Sequence, residues 1–496
     1  MVSSNLALKN ECLQNVVPEV QYNKFSQDKL KWCTVSLVDI LNANKRLEAA
    51  VFDIDGKNAR KIIESSKWES VPLYGEKGLS TAYTCGRFKR IWLETSEFPI
   101  YQPSSITDIK PTPGGYLSQI TNTDLDALRV HTGQILLTCS GTIGKVSIVS
   151  STINNKIFSH DLIRIDVKNP ADIGFIYAFL RSEVGSTILL TNNYGAVIQH
   201  IEPEHLINIP IPDPPSLIKS KINDLIMQSF TLRDESNELI DRAMVLLNNE
   251  LKLPPLYKLD KMHFDNNTDM NNYSIKLSDL SGRLDGSYHV PIIGAIQEHL
   301  KKHAAEVTTV GDKRVSKEVI LPGRFKRVYV KEGKGRVFFG GKQIHELDPS
   351  NKKYLSISKH STRIKDELEV TENTVLITRS GTVGKVAIAP KHWEHWIASD
   401  HIIRIFPVDR SIAGYLFIFL SSDCGYNLVS RFTYGSVVDE IDANHVSHIP
   451  FPFLKDKDIQ TEINSLALEA NELRFKAYQL EREAMQKMDD EVIYAN

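Results

Sequence analysis

The sequence of 496 residues has few cysteines and no long hydrophobic run. Its five cysteines are widely spaced and form no CxxC pair, which excludes a disulfide framework and a thiolate zinc site. Apolar runs such as Ile412 to Leu420 fall well short of the roughly 20 residues that a membrane span needs. No basic stretch followed by an apolar core opens the chain. We therefore expect a soluble cytoplasmic protein.

The chain also lacks an excess of either charge. Its 59 Lys and Arg residues are balanced by 61 Asp and Glu residues, for a net charge of −2. Proteins that coat nucleic acid usually have a clear basic excess, so any such binding must come from local patches. Motifs for catalysis are missing as well, since there is no HExxH and no GxSxG with credible partners. We predict no catalytic residues and no metal site in this chain.

What the sequence does contain is a copy of itself. Residues 138–212 align with residues 378–452 at a constant offset of 240, with 26 identities in 75 positions. A period of this length indicates a duplicated domain together with its connector. The predicted segments are an N-terminal extension (1–30), a first domain (31–213), a first long helix (214–252), a linker (253–271), a second domain (272–454) and a second long helix (455–496).

The two predicted long helices contain a strict seven-residue repeat without proline or glycine, which is typical of a supercoiled helix pair. Small residues lie four positions after the large ones in both helices. We favour an antiparallel coiled coil between the copies, and packing of each helix on its own domain is the alternative. The predicted seam consists of Ile218, Leu225, Leu232, Leu239, Leu246, Ile459, Leu466, Leu473 and Leu480.

The predicted helix pair is long enough to set the distance between two contact sites on DNA. The 28 residues from Ile218 to Leu246 span about 42 Å as a helix. One turn of B-DNA is about 34–36 Å, so domains at the two ends of the rod could contact one duplex about a turn apart. The two helical segments together carry a net charge of −5, which leaves +3 on the rest of the chain.

Two cationic motifs recur in both copies. The Ser-Gly-Thr-(Ile/Val)-Gly-Lys segments at 140–145 and 380–385 lack the first glycine and the final Ser/Thr of an NTPase phosphate loop. We interpret them as turns whose Thr and Lys contact DNA, or as structural hairpins. The Gly-Arg-Phe-Lys-Arg segments at 86–90 and 323–327 predict phosphate contacts or solvated edge charges. The candidate DNA-binding residues are Arg87, Lys89, Arg90, Thr142, Lys145, Arg324, Lys326, Arg327, Arg379, Thr382 and Lys385.

These motifs, the proline exits IPIPDPP and IPFP, and Ser281–Asp285 (SGRLD) resemble the specificity subunits of bacterial type I restriction-modification systems, which act in phage defence. The resemblance implies an α+β fold with two tandem α/β target recognition domains, separated by two long antiparallel coiled-coil helices. The first copy departs from the pattern, because it has Arg46-Leu47-Glu48 where the second has Arg-Leu-Asp.

The resemblance also implies a non-catalytic subunit that reads a bipartite, asymmetric site in double-stranded DNA. Two methyltransferase subunits, and two restriction subunits where present, are the implied partners. No cofactor is expected in this chain, whereas S-adenosylmethionine, ATP and magnesium are expected in the partners. The copies diverge over residues 91–130 and 328–370, where base-reading loops are expected. A protein-only scaffold that joins partners through its coiled coil is the alternative function.

Overall fold

The computed structural model describes residues 34–42, 47, 49–121, 123–191, 200–256, 273–280, 282–349, 352–435 and 438–495. The predicted N-terminal extension and most of the predicted linker lie outside the described residues. Tyr194 and Gly195, which align with Tyr434 and Gly435 of the second copy, also lie outside them, as do Arg46 and Glu48. The domain boundaries given above stay a prediction.

The two copies contain the same strands in the same order. The strands of the first copy are β1 (Ser70–Pro72), β2 (Ser80–Thr84), β3 (Trp92–Leu93), β4 (Pro99–Tyr101), β5 (Gly115–Leu117), β6 (Ile135–Thr138), β7 (Val146–Ile148), β8 (Ile157–Phe158), β9 (Leu162–Val167) and β10 (Pro210–Pro212). The strands of the second copy are β11 (Glu306–Thr309), β12 (Ser316–Ile320), β13 (Tyr329–Val330), β14 (Gly335–Phe339), β15 (Lys353–Ser356), β16 (Val375–Thr378), β17 (Val386–Ile388), β18 (Ile397–Ala398), β19 (Ile402–Pro407) and β20 (Pro450–Phe453).

The described residues of each copy form two four-stranded sheets and a two-stranded ribbon. The central sheets have the orders β2-β9-β6-β7 and β12-β19-β16-β17, and the second sheets have the orders β3-β5-β4-β8 and β13-β15-β14-β18. The ribbons pair β1 with β10 and β11 with β20. The register also repeats, since Leu136 faces Arg164 in the first copy and Leu376 faces Arg404 in the second. The duplication seen in the sequence is therefore a duplication of the fold.

Helices cover one face of each central sheet. The helices are α1 (Leu37–Asn42), α2 (Ile54–Glu64), α3 (Ile173–Arg181), α4 (Glu183–Leu190), α5 (Ser216–Glu250), α6 (Pro291–His303), α7 (Ile357–Arg363), α8 (Arg410–Ser421), α9 (Asp423–Ser430), α10 (Ala443–Ser447) and α11 (Lys457–Lys487). Strand β6 is buried on both faces: Ile135 and Leu137 pack with α3 and α4, and Leu136 packs with the second sheet. This explains its continuous run of apolar residues.

The helix pairs α3–α4 and α8–α9 are the most apolar helices of each copy, and their side chains form much of the cores. Within the described part of the chain, no single helix is long and apolar enough to cross a bilayer. Two pairs of helices would be long and apolar enough only if the two members of a pair were joined, and both pairs are sharply bent. They are Pro170–Arg181 with Glu183–Leu190 and Arg410–Ser421 with Asp423–Ser430.

The long helices α5 and α11 run antiparallel, as the sequence predicted. The hydroxyl of Ser229 donates to the carbonyl of Ala477 at 2.8 Å, and Arg242 lies 4.0 Å from Glu462. The fully buried column is the small one, at Ile222, Ser229, Ser236, Ala243, Ile463, Ala470, Ala477 and Ala484. The large seam residues lie beside it and are half-buried, except Leu466, which is buried. Small side chains at the centre allow the two backbones to approach closely.

Each long helix begins on its own copy and ends in the core of the other. At the beginning of α5, the Asn223 side chain accepts a hydrogen bond from the Gly174 amide at 2.8 Å, and Asn464 does the same for Gly414 at 2.9 Å. A Cβ at Gly174 would lie 2.7 Å from the Asn223 carbonyl, so these crossings require glycine. The distal end of α5 packs in the second core, and the distal end of α11 packs in the first.

A buried arginine connects the two sheets of each copy. Arg164 and Arg404, from the repeated Ile-Arg-Ile segments, are fully buried and donate to backbone carbonyls. The acceptors include Leu128 in the first copy and Leu368 in the second, at 3.2 and 3.1 Å. Burial lowers the pKa of Arg404 to about 9, which leaves it charged at neutral pH. The arginine satisfies carbonyls that the irregular strand ends leave unpaired.

Candidate nucleic-acid interface and the contact between the copies

The two glycine-rich segments are hairpin turns that connect β6 to β7 and β16 to β17. Gly141 and Gly144 have φ angles of 71° and 87°, in the left-handed region that favours glycine. The Thr138 hydroxyl accepts from the Lys145 amide at 2.9 Å, and Thr378 does the same for Lys385. The glycines and Thr138, with its counterpart Thr378, therefore have structural roles in the turns.

The lysine of the first turn contacts the second copy. The Lys145 ammonium donates to the carboxylate of Glu346 at 2.6 Å and to the hydroxyl of Thr107 at 3.1 Å. The Glu346 side chain is only 7% exposed, so this ion pair is largely shielded from water. Lys145, a candidate DNA contact, thus lies in an interface between the two copies, and its contact with DNA stays a prediction.

A related arrangement surrounds Asp108 on the other side of this contact. Asp108 and Glu346 occupy equivalent positions and form a β-bridge, and the Ile109 amide donates to the His345 carbonyl at 2.8 Å. Burial raises the pKa of Asp108 to about 7, while nearby Lys385 opposes the shift. The lysine of each turn thus faces an acidic residue of the other copy.

The Gly-Arg-Phe-Lys-Arg segments connect the central sheet to the second sheet in an extended course outside the strands. Their last arginines are partly buried: Arg90 donates to Ser159 at 2.8 Å, and Arg327 pairs with Asp400 at 2.5 Å. The remaining cations project outward and are exposed. They are Arg87, Lys89, Arg324 and Lys326.

The other predicted contacts divide in the same way. Thr142 and Thr382 are exposed at the tips of their turns. Arg379 is 12% exposed and pairs with Glu440 at 2.6 Å, and Arg324 lies 3.2 Å from the same carboxylate. Lys145 and Arg379 are thus paired within the protein, whereas the other cations and the turn tips are more exposed. DNA contact by each of these residues stays a prediction.

The recurring histidine has a structural role. His205 and His445 each accept a hydrogen bond from the amide at the helix N-cap three residues earlier, at 3.1 and 3.3 Å. This reciprocal cap explains why one histidine survives in both copies. The Arg-Leu-Asp segment is also internally paired, since Arg283 contacts Asp285 at 2.6 Å and lies over the ring of Tyr288.

Sequence reasoning missed a buried ionic cluster where α11 meets the first copy. Glu481 is 4% exposed, accepts from the Tyr177 hydroxyl at 2.9 Å and pairs with Arg233. Arg181 lies 3.6 Å from the same carboxylate. Burial opposes the charge of Glu481, but the two arginines outweigh it and lower its pKa. The only signal in the sequence was a glutamate one turn before a small seam residue.

One family of known proteins matches part of the chain. Residues 329–466 match the family described as type I restriction modification DNA specificity domain. No curated protein matches the chain. This match covers the second copy and the beginning of α11, and it agrees with the family resemblance inferred from the sequence.

Solved structures of this class are also similar to the chain. The S subunit of a type I restriction-modification system from M. genitalium matches with 12% identity and a TM-score of 0.25, covering 84% of this chain and 96% of that one. The HsdS subunit from Thermoanaerobacter tengcongensis matches with 14% identity and a TM-score of 0.26, covering 84% and 98%. A third, from a study of type I complex assembly, has 15% identity and a TM-score of 0.26, covering 85% and 96%.

Proposed function

We propose that this chain is the specificity subunit of a type I restriction-modification complex and recognises a bipartite, asymmetric site in double-stranded DNA. The observation that carries the proposal is the specificity-domain match over residues 329–466, together with the same sheet orders in the first copy. Two similar domains at the ends of one helix pair suit a site of two half-sites. Different sequences in the two second sheets suit different half-sites.

The exposed cations supply affinity in this proposal, and the divergent segments supply specificity. Phosphate contacts position a protein on DNA without reading its sequence, whereas contacts to base edges discriminate. Arg87 and Lys89, with their counterparts Arg324 and Lys326, are suited to phosphates because they are exposed. A net charge near zero makes weak DNA binding by the isolated chain the expectation.

The partner subunits provide the chemistry. We propose that the helix pair and adjoining surfaces dock two methyltransferase subunits, with restriction subunits joining them. S-adenosylmethionine, ATP and magnesium belong to those partners, and this chain acts as the non-catalytic subunit that selects the site.

The decisive experiment is to co-express the chain with the methyltransferase encoded beside it and to map N6-methyladenine across the host genome. A strain that lacks only this chain is the control. We expect one bipartite motif that disappears in the control, giving both half-sites and the spacer. Unchanged methylation would contradict the proposal and favour a protein-only scaffold.

The helix pair allows a test of the spacing. Helix α5 has 35 residues and is about 52 Å long. Deleting four residues from the middle of α5 and four from α11 shortens both by about 6 Å, which is nearly two base pairs at roughly 3.4 Å each. We expect the spacer in the methylated motif to shorten accordingly. An unchanged spacer in a variant that still methylates would exclude the ruler.

A further inference from the structure

A large cleft lies where α5 crosses the second copy. It has a volume of about 730 Å³ and is lined by residues 109–116 of the first copy, by α5 near Ile240, and by the second glycine-rich hairpin with α8 and α9. Arg474 of α11 lines it as well. A cleft of this size matches the range of small-molecule sites, about 300–1,000 Å³.

The position on the first copy that is equivalent to this cleft has almost no open volume. There the cavity next to Arg233, the counterpart of Arg474, measures only about 20 Å³. The arginine is retained on both helices, but its surroundings differ. Three residues of the buried ionic cluster are replaced at the second end. Phe417 stands in the place of Tyr177, Ser421 in the place of Arg181, and Ile240 in the place of Glu481.

These replacements leave Arg474 as a buried cation whose hydrogen-bond partners among the described residues are neutral. Arg474 is 8% exposed, and among the described residues its hydrogen bonds run to Ser236 at 3.3 Å and Asn237 at 3.4 Å. No ion pair joins it to a carboxylate in the described part of the chain, and burial lowers its pKa to about 10. An uncompensated buried charge is costly, so a retained one points to a ligand.

A second polar residue, Ser421, lines the same cleft. The Ser421 hydroxyl is buried and, among the described residues, has no hydrogen-bond partner. Lys385 also lines the cleft, and burial together with Lys385 and Arg474 lowers the pKa of His345 there to about 4. Trp393, Phe417 and Met244 give the cleft apolar walls.

We propose that this cleft binds a small organic carboxylate. Its carboxyl group would pair with Arg474, as Glu481 pairs with Arg233 at the other end. Its apolar part would lie against Trp393 and Phe417. Because both copies line the cleft, the bound ligand holds their relative placement. This inference does not depend on DNA recognition.

The test uses 3-phenylpropionate as the probe and isothermal titration calorimetry on the full-length chain, with 3-phenylpropionamide as the uncharged control. We expect the acid to bind and the amide to bind at least tenfold more weakly. Arg474→Met should weaken acid binding at least tenfold, whereas Arg410→Met, at an exposed pair, should leave it unchanged. Absence of acid binding, or equal affinity for acid and amide, would overturn the proposal.

Two stability measurements keep the test independent of folding defects. Arg474→Met should raise the thermal midpoint of the ligand-free chain, while Arg233→Met should lower it, because only Arg233 has a buried carboxylate partner. Ile240→Glu places a carboxylate opposite Arg474 and should raise the midpoint and abolish probe binding. Loss of stability in Arg474→Met equal to that in Arg233→Met, or undiminished probe binding by Ile240→Glu, would assign Arg474 a structural role.

Discussion

The two ends of the helix pair hold equivalent domains with different chemistry. At the first end, Glu481 and its arginines form a buried ionic cluster, and Asp234 accepts hydrogen bonds from the Ser150–Thr152 segment. At the second end the contact is aromatic, since His392 stacks on Tyr478 at 3.9 Å between centroids. Burial lowers the pKa of His392 to about 4, so the ring is neutral when it stacks.

This difference shows how a duplicated chain can direct each helix end to the correct copy. Both helix ends must find the core of the opposite copy, although the two copies have the same sheets and the same glycine crossings. The distal end of α11 brings Glu481 to Tyr177 and Arg181 of the first copy, whereas the equivalent residue of α5 is Ile240, which packs in the apolar core of the second copy. The two helix ends are therefore not interchangeable, because a charge without its partner is costly to bury.

The largest effect is expected from removing the charge of the first end. Glu481→Gln leaves Arg233 and Arg181 buried without a carboxylate, and we expect a loss of about 3–5 kcal/mol in stability. Urea unfolding followed by circular dichroism measures it. The matched control is Glu472→Gln on the same helix, whose exposed pair with Arg410 should contribute less than about 1 kcal/mol. Equal losses in the two variants would contradict the role of the cluster.

A smaller effect is expected at the neighbouring contact. Asp234 accepts from the Ser150 and Ser151 hydroxyls at 2.7 Å and from the Ser151 amide at 2.8 Å. Asp234→Ala should therefore cost about 2 kcal/mol in the same unfolding measurement, since hydrogen bonds to a charged group are worth about 1.5–3 kcal/mol. Phe475→Leu, at the equivalent position of α11, is the control and should cost about 1 kcal/mol or less. A larger loss in Phe475→Leu would reverse the comparison.

The contact between the copies should respond to pH. Asp108 has a pKa of about 7 in the folded protein, above its unfolded value, so its contribution to stability is complete in acid and falls as the pH rises from about 4 to about 7. Glu346, Lys145 and Lys385 face it. Asp108→Asn should remove this fall, because an amide does not titrate in this range.

The measurement for Asp108 is the difference in unfolding free energy between wild type and Asp108→Asn at several pH values. The difference is needed because burial lowers the pKa of His345 in the folded protein. The contribution of His345 to stability therefore increases with pH, which opposes the effect of Asp108. A difference that stays constant between pH 4 and pH 7 would show that Asp108 titrates normally.

Much of the fold was predictable from the repeat. A gapless offset of 240 predicts two equal folds, and the seven-residue period predicts the helix pair, because both patterns depend on local periodicity. The hairpin alternative for the glycine-rich segments was already present in the sequence, since two glycines beside a strand predict a turn.

The partners of the charged residues were not predictable. Lys145 meets Glu346 across 201 residues of sequence, from a segment in which the copies diverge. Arg379 pairs with Glu440, whose counterpart in the first copy is His200, so the repeat offers no pattern for that pair. Such contacts arise from how the two copies meet around the helices, which no local period encodes.

The smallest effect is expected at the exposed cations, and it distinguishes them from the paired ones. Lys326→Ala should weaken DNA binding by the assembled complex uniformly across sequences and reduce the salt slope by about 1, because a phosphate contact releases one counterion. Fluorescence anisotropy with cognate and unrelated duplexes at several salt concentrations measures both. Arg379→Ala is the internal comparison: it should lower thermal stability, because it leaves Glu440 half-compensated, and leave the salt slope unchanged. A reduced slope for Arg379→Ala with an unchanged slope for Lys326→Ala would contradict the predicted phosphate contact of Lys326 and the structural role of Arg379.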